Sequence, residues 1–138
     1  MKKLKILQIT PDFPSIYFKG GQGVFVNEFS KILSNEGCEV TVLTPQRTRY
    51  TRWNRLVGHE RRDNITIVRA DTSDQEWWHD GFHFLSPVLK YNELECCRSL
   101  IRYSDIIFFN NFWTTGFLAP LVKLTMKYKK CAVFAPFW

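Results

Sequence analysis

The sequence has no Cys-x-x-Cys pair, no His-Glu-x-x-His run and no long apolar stretch. The first two absences argue against a zinc or dithiol centre, because that chemistry needs ligands or thiols at such spacings. The third excludes a membrane-spanning helix, which takes about 20 consecutive apolar residues. Met1-Lys2-Lys3 opens like a secretory leader. The apolar run behind it, however, stops at Gln8 and meets Pro11 and Asp12, so a leader is not expected. The four cysteines (Cys38, Cys96, Cys97 and Cys131) have apolar or ordinary helical neighbours and read as reduced thiols of a cytoplasmic protein. Acidic residues are also scarce. Thirteen Asp and Glu stand against 19 Lys and Arg, for a formal charge of +6. That excess suits nucleotide phosphates, nucleic acid or an anionic membrane surface, without choosing among them. With 45% hydrophobic residues over 138 positions, the chain is expected to fold as one domain.

What is present is organised around Gly20-Gly21-Gln22-Gly23. Leu4 to Thr10 precedes it and reads as a first strand, apolar on both faces as a central parallel strand should be. Pro11 and Pro14 stop that strand. Val24 to Leu33 follows the glycines and reads as a helix, with Phe25, Phe29, Ile32 and Leu33 on its inward face. A strand, a glycine loop and a helix start make an anion site, since the first-turn N–H groups point at whatever negative group sits there. Gly37 stands where a left-handed helix end is wanted. Glu39 to Thr44 is a second strand, closed by Pro45, and completes a βαβ unit. The spacing is neither the dinucleotide fingerprint nor a P-loop.

The segment from Gln46 to Asn64 is basic: Arg47, Arg49, Arg52, Arg55, Arg61 and Arg62 alternate with Tyr50, Trp53 and His59. It reads as a solvated loop, with an acceptor-phosphate clamp or a peripheral contact with anionic lipid as its functional alternatives. No nucleic-acid module accompanies it, so nucleic acid is not expected as a partner. Ile65 to Ala70 is a third strand, and Asp71 to Phe84 reads as irregular. His79 and His83 would suit a metal on a helix, but Gly81 interrupts them, and no metal is expected. Ser86-Pro87 reads as the cap and first residue of a second helix, with Leu89, Cys96, Leu100, Ile101 and Tyr103 inward. Asp105 to Phe109 is a fourth strand. Asn110-Asn111-Phe112-Trp113 lies at its carboxyl end, the edge of a parallel sheet where ligands bind. A third helix carries Leu118, Leu121, Val122 and Thr125 inward, and Cys131 to Ala135 is a fifth strand.

Placed in this order, the chain resembles the N-terminal domain of GT-B glycosyltransferases, in particular the large retaining family 4. The resemblance rests on Ile6 to Pro14 as the opening strand, Gly20 to Val26 as the glycine loop and helix start, and Gly37 to Pro45 as the second strand. Asp105-Ile106-Ile107 and Val133 to Trp138 fit the fourth and fifth strands. Lys19-Gly20-Gly21 is also similar to the K-x-G-G loop of glycogen and starch synthases, one residue shorter. The resemblance implies an α/β fold: a Rossmann-like three-layer α/β/α sandwich with a mainly parallel sheet of about five strands in the order 3-2-1-4-5. It further implies an acceptor-side half facing a donor-binding domain across a cleft, with no cofactor beyond a nucleotide sugar as donor.

On that resemblance, Gly20, Gly21, Gln22 and Gly23 would lie against the donor diphosphate and transferred sugar. Asn110, Asn111 and Trp113, then Asp12 and Lys19, complete the expected substrate-binding set. No catalytic residue is assigned, because Ala135-Pro136-Phe137 stands where the family often places a histidine. The expectation is therefore a single acceptor-side domain over 1–138, cut short at its carboxyl end and inactive in hexosyl transfer without a donor domain. The alternatives are a non-catalytic module for a phosphorylated or lipid-linked sugar, and a domain that self-associates through its last strand.

Overall fold

A computed structural model describes residues 2–11, 13, 21–46, 58–79, 82–110 and 115–135. Among the described residues, eight strands and three α-helices follow one another: β1 (Lys5–Ile9), α1 (Gly21–Asn35), β2 (Glu39–Pro45), β3 (His59–Arg62), β4 (Ile65–Ala70), β5 (Thr72–His79), β6 (Phe82–Leu89), α2 (Leu94–Tyr103), β7 (Ile106–Asn110), α3 (Thr115–Lys127) and β8 (Cys131–Ala135). A single 3-10 turn, Tyr91–Glu93, leads into α2.

Six strands form one sheet in the order β3-β4-β2-β1-β7-β8. Every pair in it is parallel except β3–β4. The five parallel strands, numbered among themselves, run 3-2-1-4-5, the order the sequence predicts. Side chains alternate across this sheet. Leu7, Ile9, Leu43, Val68, Ala70, Ile107 and Phe109 meet Cys97 and Ile101 of α2 and Phe117, Leu118 and Leu121 of α3. On the other face, Val40, Val42, Ile65 and Ile67 meet Val26 and Leu33 of α1. The result is a three-layer α/β/α arrangement with the sheet in the middle, the Rossmann-like class.

Local chemistry explains the joints. Gly37 has φ +92°, and the N–H groups of Gly37 and Cys38 donate to the carbonyls of Ser34 and Leu33 at 3.0 and 3.1 Å. That is a Schellman ending with glycine at its left-handed position. The same pair of bonds closes α3, where Lys129 and Lys130 donate to Met126 and Thr125 and Lys129 takes φ +53°. Between β3 and β4, Asp63 and Asn64 both have positive φ and form a two-residue hairpin turn.

Four expectations are corrected. The basic segment 46–64 is not all loop, since its His59–Arg62 forms β3 against β4. Residues 71–84 are not irregular: β5 and β6 make a separate antiparallel ribbon, paired from Thr72↔Leu89 to His79↔Phe82. Ser86 and Pro87 do not begin a helix but lie within β6, and α2 starts at Leu94. A two-stranded ribbon leaves half its backbone groups unpaired, so a residue without an N–H is tolerated there. The helix faces also turn. On α1 the inward residues are Gly23, Val26 and Ser30, whereas Phe25 and Ile32 are exposed. Apolar residues surround α1 on most sides, so periodicity alone left its rotation open. Small Gly23 and Ser30 let the helix sit close to the sheet. On α2, Cys97 and Ile101 are buried, while Cys96 and Tyr103 are exposed.

Candidate functional site

The carboxyl edge of the sheet carries a polar floor on the α1 side. Val40, Val42, Ile65 and Ile67 fix which face looks at α1. Strand alternation then puts Gln8, Thr44, Arg69 and Asn110 on that same face. All four are buried, as is Thr10 just beyond β1. Thr44 and Arg69 are direct register partners on β2 and β4. Asn110, the last residue of β7, reaches back to β1. Its Nδ2 donates to Gln8 Oε1 at 2.8 Å and to the Ile9 carbonyl at 3.2 Å. Both amide hydrogens are thereby committed, and the ends of the two central strands are tied together.

This floor is unusual for its depth. Gln8 and Thr10 are fully buried in the middle of the molecule, where apolar residues would contribute more from the hydrophobic effect. Gln8 Nε2, Thr44 Oγ1 and, on the facing side of α1, Ser30 Oγ have no hydrogen-bond partner among the described residues. Buried polar atoms in folded proteins are nearly always paired, so such a group marks a functional or strained place.

Above this edge lies the start of α1. Its first residues, Gly21, Gln22 and Gly23, have helical backbone, so the unpaired N–H groups of a first helical turn are theirs. No acidic residue stands in that turn to compete with an outside anion. The helix runs back from the carboxyl edge over β2 and β4, where Val26 and Leu33 join the core.

Arg69 adds charge at the same edge. Its side chain is almost wholly buried, and Nη1 is 2.8 Å from Glu60 Oε2 on β3. Glu60 also pairs with Arg62 Nε at 3.1 Å, so one carboxylate serves two guanidinium groups. Arg62 further lies 5.5 Å from the ring centroid of Phe13.

Of the residues expected from sequence, the structure brings together Gly21, Gln22, Gly23 and Asn110 at one edge of the sheet. Gly20, Asp12, Lys19, Asn111 and Trp113 lie outside the described residues, as do Arg47, Arg49, Arg52 and Arg55 of the basic segment. Gln8, Thr44 and Arg69 went unnoticed in sequence. Their signal was available: each is a polar residue inside an otherwise apolar parallel strand. The histidines of the ribbon fall in different cross-strand pairs, Trp78↔His83 and His79↔Phe82. The helical spacing a metal would need is absent there, and no metal-binding group of three occurs among the described residues. Cys97 is fully buried. Burial, then Cys96 and Glu93, push its thiol up to about 12, and burial followed by Glu93 also raises Cys96. No helix of the described residues is long and apolar enough to cross a membrane.

No family model matches the chain, and no curated protein does. Among solved structures, it is similar to the catalytic domain of starch synthase IV from Arabidopsis thaliana, bound to ADP and acarbose. The identity is 17% and the TM-score 0.44, over 98% of this chain and 34% of that one. The chain thus spans about a third of that structure's length.

Proposed function

We propose that this chain is the acceptor-side domain of a nucleotide-sugar-dependent glycosyltransferase. The observation that carries the reading is the start of α1 at Gly21, facing the sheet edge floored by Gln8, Thr44, Arg69 and Asn110. It is the same stretch, Gly20 to Val26, on which the resemblance to family 4 glycosyltransferases rests. In this reading, the first-turn N–H groups and the glycine backbone receive the phosphates of the donor. Asn111, Trp113, Asp12 and Lys19 contribute contacts to the sugar or acceptor. Gln8 acts indirectly, holding Asn110 in register.

Sugar transfer needs more than this half-cleft. The donor's ribose and diphosphate must be held while the acceptor is aligned at the anomeric carbon. One sheet edge supplies some of those contacts, and a donor-binding surface supplies the rest. The 138-residue chain alone is therefore expected to bind a nucleoside diphosphate or phosphorylated sugar weakly and to transfer no hexose.

Calorimetric titration with nucleoside diphosphates and a transfer assay on the same preparation test this. Gly21→Glu places a carboxylate in the first turn of α1, which favours the helix while repelling an anion. It should weaken phosphate binding about tenfold with no loss of thermal stability. Binding that ignores Gly21→Glu would remove the site. Robust turnover by the purified chain would instead sink the need for a donor surface. Binding without turnover even in the presence of a donor domain would favour the non-catalytic module.

A further inference from the structure

Among the described cations, Lys31, Arg62, Arg69, Lys90 and Arg98 each lie 2.7–3.3 Å from a carboxylate oxygen. Of those with no ion pair among the described residues, Arg61 donates to Thr66 Oγ1 and Lys123 lies within α3. The others, Lys5, Arg102, Lys127, Lys129 and Lys130, share one place. Register puts Lys5, Ile106 and Cys131 at the amino edge of β1, β7 and β8, so the ends of α2 and α3 meet there too. Contacts join the set. Lys5 Nζ sits 3.7 Å from the centroid of the Tyr103 ring. Arg102 and Lys127 lie 5.5 and 5.8 Å from the Tyr128 ring, and Lys130 Nζ donates to the Arg102 carbonyl at 2.8 Å. Lys2 and Lys3, both exposed, enter the same edge ahead of β1.

The described carboxylates at this edge, Glu36, Glu39, Asp63 and Asp105, are fewer than the cations. Asp105 accepts the backbone N–H of Lys5 at 2.9 Å, and Glu39 accepts the Tyr103 hydroxyl at 3.4 Å. Glu36 stands at the end of α1, on the β2 side. Helix dipoles account for Arg102 and Lys127, which close α2 and α3. They do not account for Lys2, Lys3 and Lys5, which belong to a strand and its approach. Apolar side chains are exposed among the cations: Met126 at 73% and Leu4 at 42%.

We propose that this amino-edge surface docks on a bilayer carrying anionic headgroups. Unpaired lysines around protruding apolar side chains match the charge of such a surface and the apolar layer just beneath it. A nucleic acid fits less well. The tyrosine rings on which bases would stack are engaged by Lys5, Arg102 and Lys127. The candidate site lies at the other end of the strands, about 17 Å away for five residues. A docked molecule therefore turns its site toward the water, which favours a soluble phosphorylated ligand over one whose sugar sits at the lipid surface.

Flotation with phosphatidylcholine vesicles, with and without phosphatidylglycerol, tests the proposal on the whole chain. Binding is expected only to the anionic vesicles and should fall with added salt. The triple variant Lys2→Gln, Lys3→Gln, Lys127→Gln should lower the partition coefficient on the order of 100-fold. The control triple Lys31→Gln, Arg61→Gln, Arg98→Gln makes the same change in net charge on the β3–β4 side of the sheet and within α2, away from the ends of β1, α2 and α3, and should shift it less than about threefold. Met126→Ser should cost about tenfold by removing inserted apolar surface. Circular dichroism checks that each variant folds. Equal loss in the two triples would overturn the proposal by reducing it to net charge. So would equal binding to neutral vesicles, or capture by a single-stranded oligonucleotide that exceeds vesicle binding and is indifferent to Met126→Ser.

Discussion

Two helix ends in this molecule have the same backbone geometry and different residues in its one demanding position. Gly37 ends α1 with φ +92°, and Lys129 ends α3 with φ +53°. A side chain in the left-handed region costs about 1–2 kcal/mol, while glycine gives back about 0.4–1 kcal/mol through the freer unfolded chain. A β-carbon on Gly37 would meet nothing within 4 Å, so Gly37→Ala isolates the backbone term. It should destabilise the domain by about 1 kcal/mol. Lys129→Gly should stabilise it by about 0.5–1 kcal/mol. Urea denaturation of the two variants checks the pair, and shifts of the same sign would refute the argument.

At the scale of elements, the β3–β4 hairpin closes one edge of the sheet and holds Arg69 through Glu60. Removing the carboxylate takes the opposite charge away from a guanidinium whose side chain is 2% exposed, whereas removing the arginine leaves Glu60 at 35% exposure and still beside Arg62. A fully buried pair broken on one side costs about 3–5 kcal/mol, and partial exposure of Glu60 screens some of that. Glu60→Gln should therefore cost about 2 kcal/mol, and Arg69→Met clearly less. Equal costs in urea melts would mean that the pair contributes through packing alone.

That hairpin also shows what could be read beforehand and what could not. The parallel strands were legible because each is a short β-branched or apolar run between turn residues, and Ile65–Ala70 and Cys131–Ala135 fall as expected. Gly37 was legible because only one backbone position there wants glycine. The hairpins were missed although Asp63-Asn64 and Asp80-Gly81 are dipeptides suited to two-residue turns. The arginines of β3 drew attention to charge, and Ser86-Pro87 resembles a helix start in isolation. At the site, glycines and the strand-end Asn110 stood out. The polar floor did not, since Gln8, Thr44 and Arg69 acquire meaning only when register places them on one face.

The whole molecule is defended unequally at its two sheet edges. At one, β3 is four residues long, reads His59-Glu60-Arg61-Arg62, and pairs back on β4. Short, charged edge strands resist further pairing. At the other, β8 reads Cys131-Ala132-Val133-Phe134-Ala135 and, among the described residues, pairs only with β7 in the sheet. Its first four residues are exposed, and Phe134 covers one side of itself by stacking on Phe109 at 5.0 Å. An apolar strand with one open ladder is a template for another copy, so the chain is expected to self-associate through β8. Pairing of five-residue strands buries less than the roughly 1,200–2,000 Å² of a stable interface, so the association should be weak and concentration-dependent. Sedimentation velocity over a concentration series should show the mass rising above 16.4 kDa. Val133→Lys should hold it at the monomer by giving β8 the kind of charge that β3 carries. Arg61→Ala, at the opposite edge, should leave the association unchanged. A monomer at every concentration would show that β8 is protected by means other than its own residues. Association unaffected by Val133→Lys would place the contact elsewhere.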